Sequence, residues 1–165
     1  MHNFRHHNPA GGRLGKFGFD KFIKLAHNSY KANRYSLTVD NCRLAANMAL
    51  KEGNKNNAAK AYELWIKALF KDRKFAEIKK ICCEARSKFG NNLDLLYYEF
   101  KAAREAGDNT IALKLGREFI ELHKNCGRNS SSLFNKSVAK LDEVKTAIIE
   151  LEKNSSSQPV ESGQE

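Results

Sequence analysis

Proline is almost missing from this chain of 165 residues: Pro9 and Pro159 stand near its two ends, and nothing between them breaks a helix. Valine occurs four times against 34 alanines and leucines, so the β-branched supply of a sheet is lacking and an all-β fold is excluded. No apolar run approaches the roughly 20 residues of a membrane-spanning helix. Residues 1–18 lack the apolar stretch of a secretory signal, and their His, Asn, Pro and Gly content spoils an amphipathic presequence helix. There is no Gly-x-x-x-x-Gly-Lys phosphate loop, and the glycines of residues 11–18 follow no strand. Metal-ligand patterns are equally scarce, for His27 and His123 have neither a carboxylate nor a histidine four residues away. These absences lead us to expect a chain without catalytic residues, metal or cofactor, not an enzyme.

Cysteine is sparse too. Cys82 and Cys83 are adjacent and point about 100° apart on a helix, which suits neither a local disulfide nor a shared metal. With Cys42 and Cys126 they read as buried, reduced thiols of a cytoplasmic protein.

What is present is helical. Hydrophobic residues make up 41% and charged ones 29%, the balance of an ordinary folded domain, and the length suits one core. Residues 1–18 hold four of the ten glycines and read as a flexible basic arm; residues 154–165 read as a disordered tail. Between them Gly53, Gly90, Gly107 and Gly127 stand where apolar periodicities stop, while Gly116 alone falls inside a helical pattern, where a close helix contact would explain it.

Seven helices are expected: about 20–31, 36–52, 58–71, 74–89, one opened by Asn91-Asn92, one capped by Asn109, and one from the Ser130–Ser132 cap to Lys153. The last carries a stripe of Phe134, Val138, Leu141, Val144, Ile148 and Leu151. Short connections make neighbours antiparallel. A shift of 34 residues lays Tyr62 on Leu96, Ile66 on Phe100, Leu69 on Ala103, Ile78 on Ala112, Ala85 on Phe119 and the turn Asp72-Arg73 on Ala106-Gly107. A further copy at 19–52 is set off by an insertion around Gly53–Asn57.

This pattern resembles the tetratricopeptide repeat, a helix–turn–helix unit of about 34 residues. Phe22, Leu25-Ala26, Tyr30, the turn Asn33-Arg34-Tyr35, Cys42 and Ala45 carry the likeness in the first copy, Tyr62, Phe70, Phe75, Ile78 and Ala85 in the second, and Leu96, Ala106-Gly107-Asp108 and Ala112 in the third. No copy ends in the usual proline, and Ile66 and Phe100 stand where the family prefers a small residue. The expected fold is all-α: an α-solenoid of repeats at about 19–52, 59–92 and 93–126 in a domain of 19–153, closed by a capping helix at 132–153. That helix could instead dimerise, since its apolar spacing is also coiled-coil-like.

The resemblance implies a concave groove lined by the first helix of each pair. Here that selects Lys24, His27, Tyr30 and Lys31, then Lys67, Phe70 and Lys71, then Tyr97, Tyr98, Lys101 and Arg104. The positions matching the family's clamp for chaperone carboxyl termini hold Ile23, His27, Leu64, Asp94 and Tyr98, which do not fit it. Aromatics beside cations suit a partner peptide or protein with apolar residues next to acids, so an adaptor or scaffold is expected.

The net charge of +10 offers an alternative, nucleic-acid binding. Residues 1–60 hold eleven Lys and Arg against three acids, residues 61–125 thirteen against ten, and residues 126–165 five against six. A basic arm and first hairpin could follow a phosphate backbone with Phe17, Phe19 or Tyr35 stacking, although no RNA-reading motif accompanies them.

Overall fold

The computed structural model describes residues 14–126 and 138–156. All regular elements among them are helices: α1 (Leu14–Lys31), α2 (Tyr35–Lys51), α3 (Lys55–Lys71), α4 (Phe75–Phe89), α5 (Leu93–Glu105), α6 (Asn109–Cys126) and α7 (Leu141–Ser156). The class is therefore all-α, as expected. The chain divides into two compact units, Met1–Asp72 and Arg73–Glu165, and the division falls in the middle of the second expected repeat. In the first unit α2 packs between α1 and α3, which also touch each other; in the second, α4 to α7 pack in consecutive order.

The turns after α1, α2, α3 and α5 share one backbone device. Asn33, Gly53, Arg73 and Gly107 all adopt positive φ, at 57°, 70°, 56° and 77°. After three of them the next amide reaches back five residues: Arg34 to Ser29 at 2.8 Å, Asn54 to Ala49 at 2.8 Å and Asp108 to Ala103 at 2.9 Å. This is the helix-ending motif that satisfies stranded carbonyls by one left-handed residue, which glycine adopts without steric cost and asparagine tolerates. Arg73 and Gly107 lie 34 residues apart, so the sequence register reappears in the backbone.

Several boundaries differ from expectation. Helix α1 begins at Leu14, inside the expected arm of residues 1–18, and its Gly18 lies against Met48 of α2, where a Cβ would stand 2.5 Å from Met48 Sδ. Helix α3 begins at Lys55, within the expected insertion, with Asn54 accepting from the Asn57 amide at 3.0 Å. The cap of α6 is Asp108 rather than Asn109, its carboxylate accepting from Ile111 N–H at 3.0 Å. Residues 138–140 are not helical, and α7 starts at Leu141, later than expected. There the buried Asp94 carboxylate accepts from the backbone N–H groups of both Val138 and Ala139, at 2.9 and 3.0 Å, bonds that tie this entry segment to α5. Helix α7 also continues through Ser156, into the expected tail. Residues 1–13, Gly127, the Ser130–Ser132 cap, Phe134 and residues 157–165 lie outside the described residues.

The first unit buries small residues, among them Ala26, Ala45, Ala46, Ala49, Ala58, Ala59 and Ala61, so its backbones approach closely. Between α1 and α2 the buried Ser29 and Thr38 hydroxyls lie 3.0 Å apart, and each also reaches a carbonyl of the preceding turn. The second unit has a larger-residue core of Leu96, Tyr97, Phe100, Phe119, Val144 and Ile148. Tyr62, Trp65, Ile66 and Leu69 on α3, and Leu96, Glu99, Phe100 and Ala103 on α5, form the same buried i, i+3, i+4, i+7 set. Val144, Ala147, Ile148 and Leu151 repeat it on α7.

Gly116 permits the α6–α7 contact. A Cβ there would stand 2.8 Å from Ile148 Cδ1 and 3.2 Å from Phe100 Cε2. Gly116→Val should therefore cost about 2–3 kcal/mol through overpacking, read as a lower urea midpoint; an unchanged midpoint would mean that α7 can move away freely.

Candidate functional site

The expected groove residues fall into two differently built groups. On α1, Lys24, His27 and Lys31 are exposed and Tyr30 is half-buried. Spacings of three and four place Lys24, His27 and Lys31 on one side of that helix. The Tyr30 ring meets Tyr35 edge-on at 5.7 Å, and the Tyr35 hydroxyl donates to Asn33 Oδ1 at 2.8 Å, so the aromatic pair is braced by the turn that ends α1. On α3, Lys71 is exposed, Phe70 is half-buried and Lys67 pairs with Glu63 one turn earlier. Because α1 and α3 touch within the first unit, these two sets of side chains belong to adjacent helices.

The α5 group is turned into an internal contact. Tyr97 is only 3% exposed and its hydroxyl donates to Glu143 Oε2 on α7 at 2.7 Å. Lys101 lies 3.5 Å from the other oxygen of Glu143 and 5.4 Å from the centre of the Tyr97 ring. Arg104 stands 3.7 Å from Glu150 on α7 and lies over Phe100. Tyr98 is half-buried, edge-on to Tyr97. Position 97 meets 143 and position 104 meets 150, so α5 and α7 run parallel, side by side. Of the expected groove residues on α5, Tyr97, Lys101 and Arg104 thus meet α7. The chaperone-clamp positions fare alike, with Leu64 buried and Asp94 engaged by the Val138 and Ala139 amides.

Electrostatics follow this packing. Burial pushes the Tyr97 hydroxyl well above its ordinary value, and the hydrogen bond to Glu143 adds to the shift. For Glu143, burial opposes ionisation, but the Tyr97 hydroxyl and the Lys101 and Lys140 ammoniums outweigh it and hold the carboxyl below its usual range. Sequence reasoning missed Glu143 and Glu150 as partners of α5, since nothing local marks two residues about 46 positions away.

All four cysteines are free, but only two match the expected burial: Cys42 and Cys82 are buried, whereas Cys83 and Cys126 are exposed. Burial raises the Cys42 thiol to about 12. It raises Cys82 as well, helped by Glu99 and Cys83 and opposed by Arg86. Among the described residues no group of three or more His, Cys, Asp or Glu side chains could hold a metal ion, and no helix is long and apolar enough to cross a membrane. Comparison with protein-family models, curated proteins and solved structures finds no match for the chain.

Two outcomes follow. A thiol reagent should modify Cys83 and Cys126 in the native protein and reach Cys42 and Cys82 only on unfolding, as counted by mass spectrometry after peptide digestion. Tyr97→Phe should destabilise the second unit by about 1–2 kcal/mol, the loss of a hydrogen bond to a charged group that water partly replaces. The pH dependence has two limbs. The Glu143 contribution is complete above the ordinary carboxyl value of 4.5 and fades as pH falls through the lower folded value. The Tyr97 contribution is complete below the ordinary phenol value of 10.0 and is lost as pH rises above it. Tyr97→Phe should remove its share of the alkaline limb, which chemical unfolding across pH would read directly.

Proposed function

We propose that this chain is a non-catalytic adaptor of tetratricopeptide-like hairpins that binds an acidic, apolar-containing segment of a partner protein along α1 and α3 of the first unit. The observation that carries this reading is the contrast between the two units. The cations and aromatics of α5 are engaged by α7, while Lys24, His27 and Lys31 on α1 and Lys71 on α3 stay exposed beside the half-buried Tyr30 and Phe70. Charge balance supports the same side. Residues 14–72 hold eleven Lys and Arg against five acids; residues 73–126 and 138–156 hold fourteen against twelve. In the second unit several cations are held in ion pairs, Arg86 with Glu99 and Glu118, Lys88 with Glu84, Arg117 with Glu152 and Lys124 with Glu121, while others such as Lys79, Lys80 and Lys114 stay exposed. The first unit keeps an excess that attracts anions, and aromatic anchors beside it supply the apolar part of recognition. Four unpaired cysteines agree with work in a reducing compartment, the cytoplasm.

The same excess supports a second reading, an accessory protein for single-stranded nucleic acid, with phosphates along the cations and bases against Tyr30, Tyr35 or Phe70. One variant tests both. Combining Lys24→Glu, Lys31→Glu and Lys71→Glu changes exposed positions only, so helicity and melting should hold. Binding of Asp/Glu- and Leu-containing peptides should fall by about two orders of magnitude, since three lost attractions at roughly 1 kcal/mol each multiply. Peptide binding untouched by the triple reversal overturns the adaptor face. RNA binding that is absent, or that does not weaken with salt, removes the second reading.

A further inference from the structure

Helices α4, α5 and α6 enclose a cleft of about 260 Å³. Its walls are mostly apolar: Phe75 and Ala76 from α4, Ala102 and Ala103 from α5, Ile111 and Leu115 from α6. The 34-residue register explains the space. Glu99 and Ala103 stand where the preceding copy has Trp65 and Leu69, so an indole and an isobutyl group give way to a carboxylate and a methyl.

That carboxylate is an unusual wall. Glu99 is 3% exposed, and its Oε2 lies 2.9 Å from Arg86 yet accepts no well-directed hydrogen bond from any described residue. Arg86 is shared, because its second terminal nitrogen faces Glu118 on α6 at 3.2 Å. One guanidinium thus serves two carboxylates and leaves a net negative charge. The mouth adds Lys79 and Asp108, whose opposite charges cancel. Burial lifts the Glu99 carboxyl above its usual range, Arg86 and Lys79 oppose the lift, and Glu118 adds to it.

We propose that this cleft binds a short apolar chain ending in an ammonium or guanidinium group, the chain lying among Phe75, Ala103, Ile111 and Leu115 and the cation against the Glu99 carboxylate. The volume is near the lower limit of ligand pockets and suits one lysine- or arginine-sized group, whether a free alkylamine or a side chain of a partner. The site lies apart from the residues of α1 and α3 and stands or falls independently of the adaptor reading.

Amide NMR titrations of the full chain test it, with butylammonium, butylguanidinium and 1-butanol as probes of matched size and with N-acetyl-lysine methylamide as the side-chain mimic. The two cations should shift amides of α4 to α6 and bind at least about tenfold more tightly than butanol, the ratio for a single well-placed charge contact. Preference for the free amines over the lysine mimic assigns the site to small amines, and the reverse assigns it to a protein side chain; either supports the proposal. Glu99→Gln should lose the cation preference. Ala103→Leu, which restores the residue type of position 69 and keeps Glu99, should fill the cleft and abolish binding without lowering the melting temperature. Butanol binding as tightly as butylammonium, cation binding that survives both variants, or no shift confined to α4–α6 overturns the proposal.

Discussion

An amphipathic helix holds its shape in water when another surface covers its apolar stripe, and in this chain the cover is the next helix. The four-position buried set recurs on α3, α5 and α7, each time as i, i+3, i+4, i+7. Within each unit, short turns such as those at Asn33, Gly53 and Gly107 bring successive helices back along one another, which makes neighbours in sequence neighbours in space. Stability accumulates helix by helix, and at Gly18 and Gly116 a neighbouring side chain, Met48 or Ile148, occupies the space a Cβ would need.

The same requirement shapes the surface available for binding. Helix α7 meets α5 through side chains, and in doing so it uses Tyr97, Lys101 and Arg104. A terminal helix of this kind has two effects. It covers the stripe of α6 and α5, and it gives Lys101 and Arg104 carboxylate partners while leaving each about a third exposed. The first unit retains its cations, so the residual field is concentrated there and not spread along the chain.

Buried polar groups mark the places where packing and electrostatics compete. Asp94 Oδ1 accepts from two backbone amides and acts as a fastening for the entry to α7. Glu99 sits deeper in conflict, sharing one arginine with Glu118 beside an apolar cleft. Nature of the neighbour decides the difference: amides cannot be withdrawn by a competing carboxylate, whereas a shared guanidinium can be.

The amino-acid sequence by itself determined the helical class, seven helices and the 34-residue register, because these rest on local quantities. Missing proline, an alanine- and leucine-rich composition and apolar spacings of three and four act within a few turns of the chain. Gly116 was legible for the same reason, as a glycine where the helical pattern demanded a side chain. The late start of α7 was hidden behind Asp94, which holds the segment before it by contacts from another helix. The α5 members of the candidate groove looked open for want of any local sign of Glu143 and Glu150. Which cations remain exposed, which carboxylate is left half-paired and where a cleft opens were decided by tertiary structure alone. Such properties depend on pairs of residues that only packing brings within a few ångströms, where burial and charge become strong enough to count.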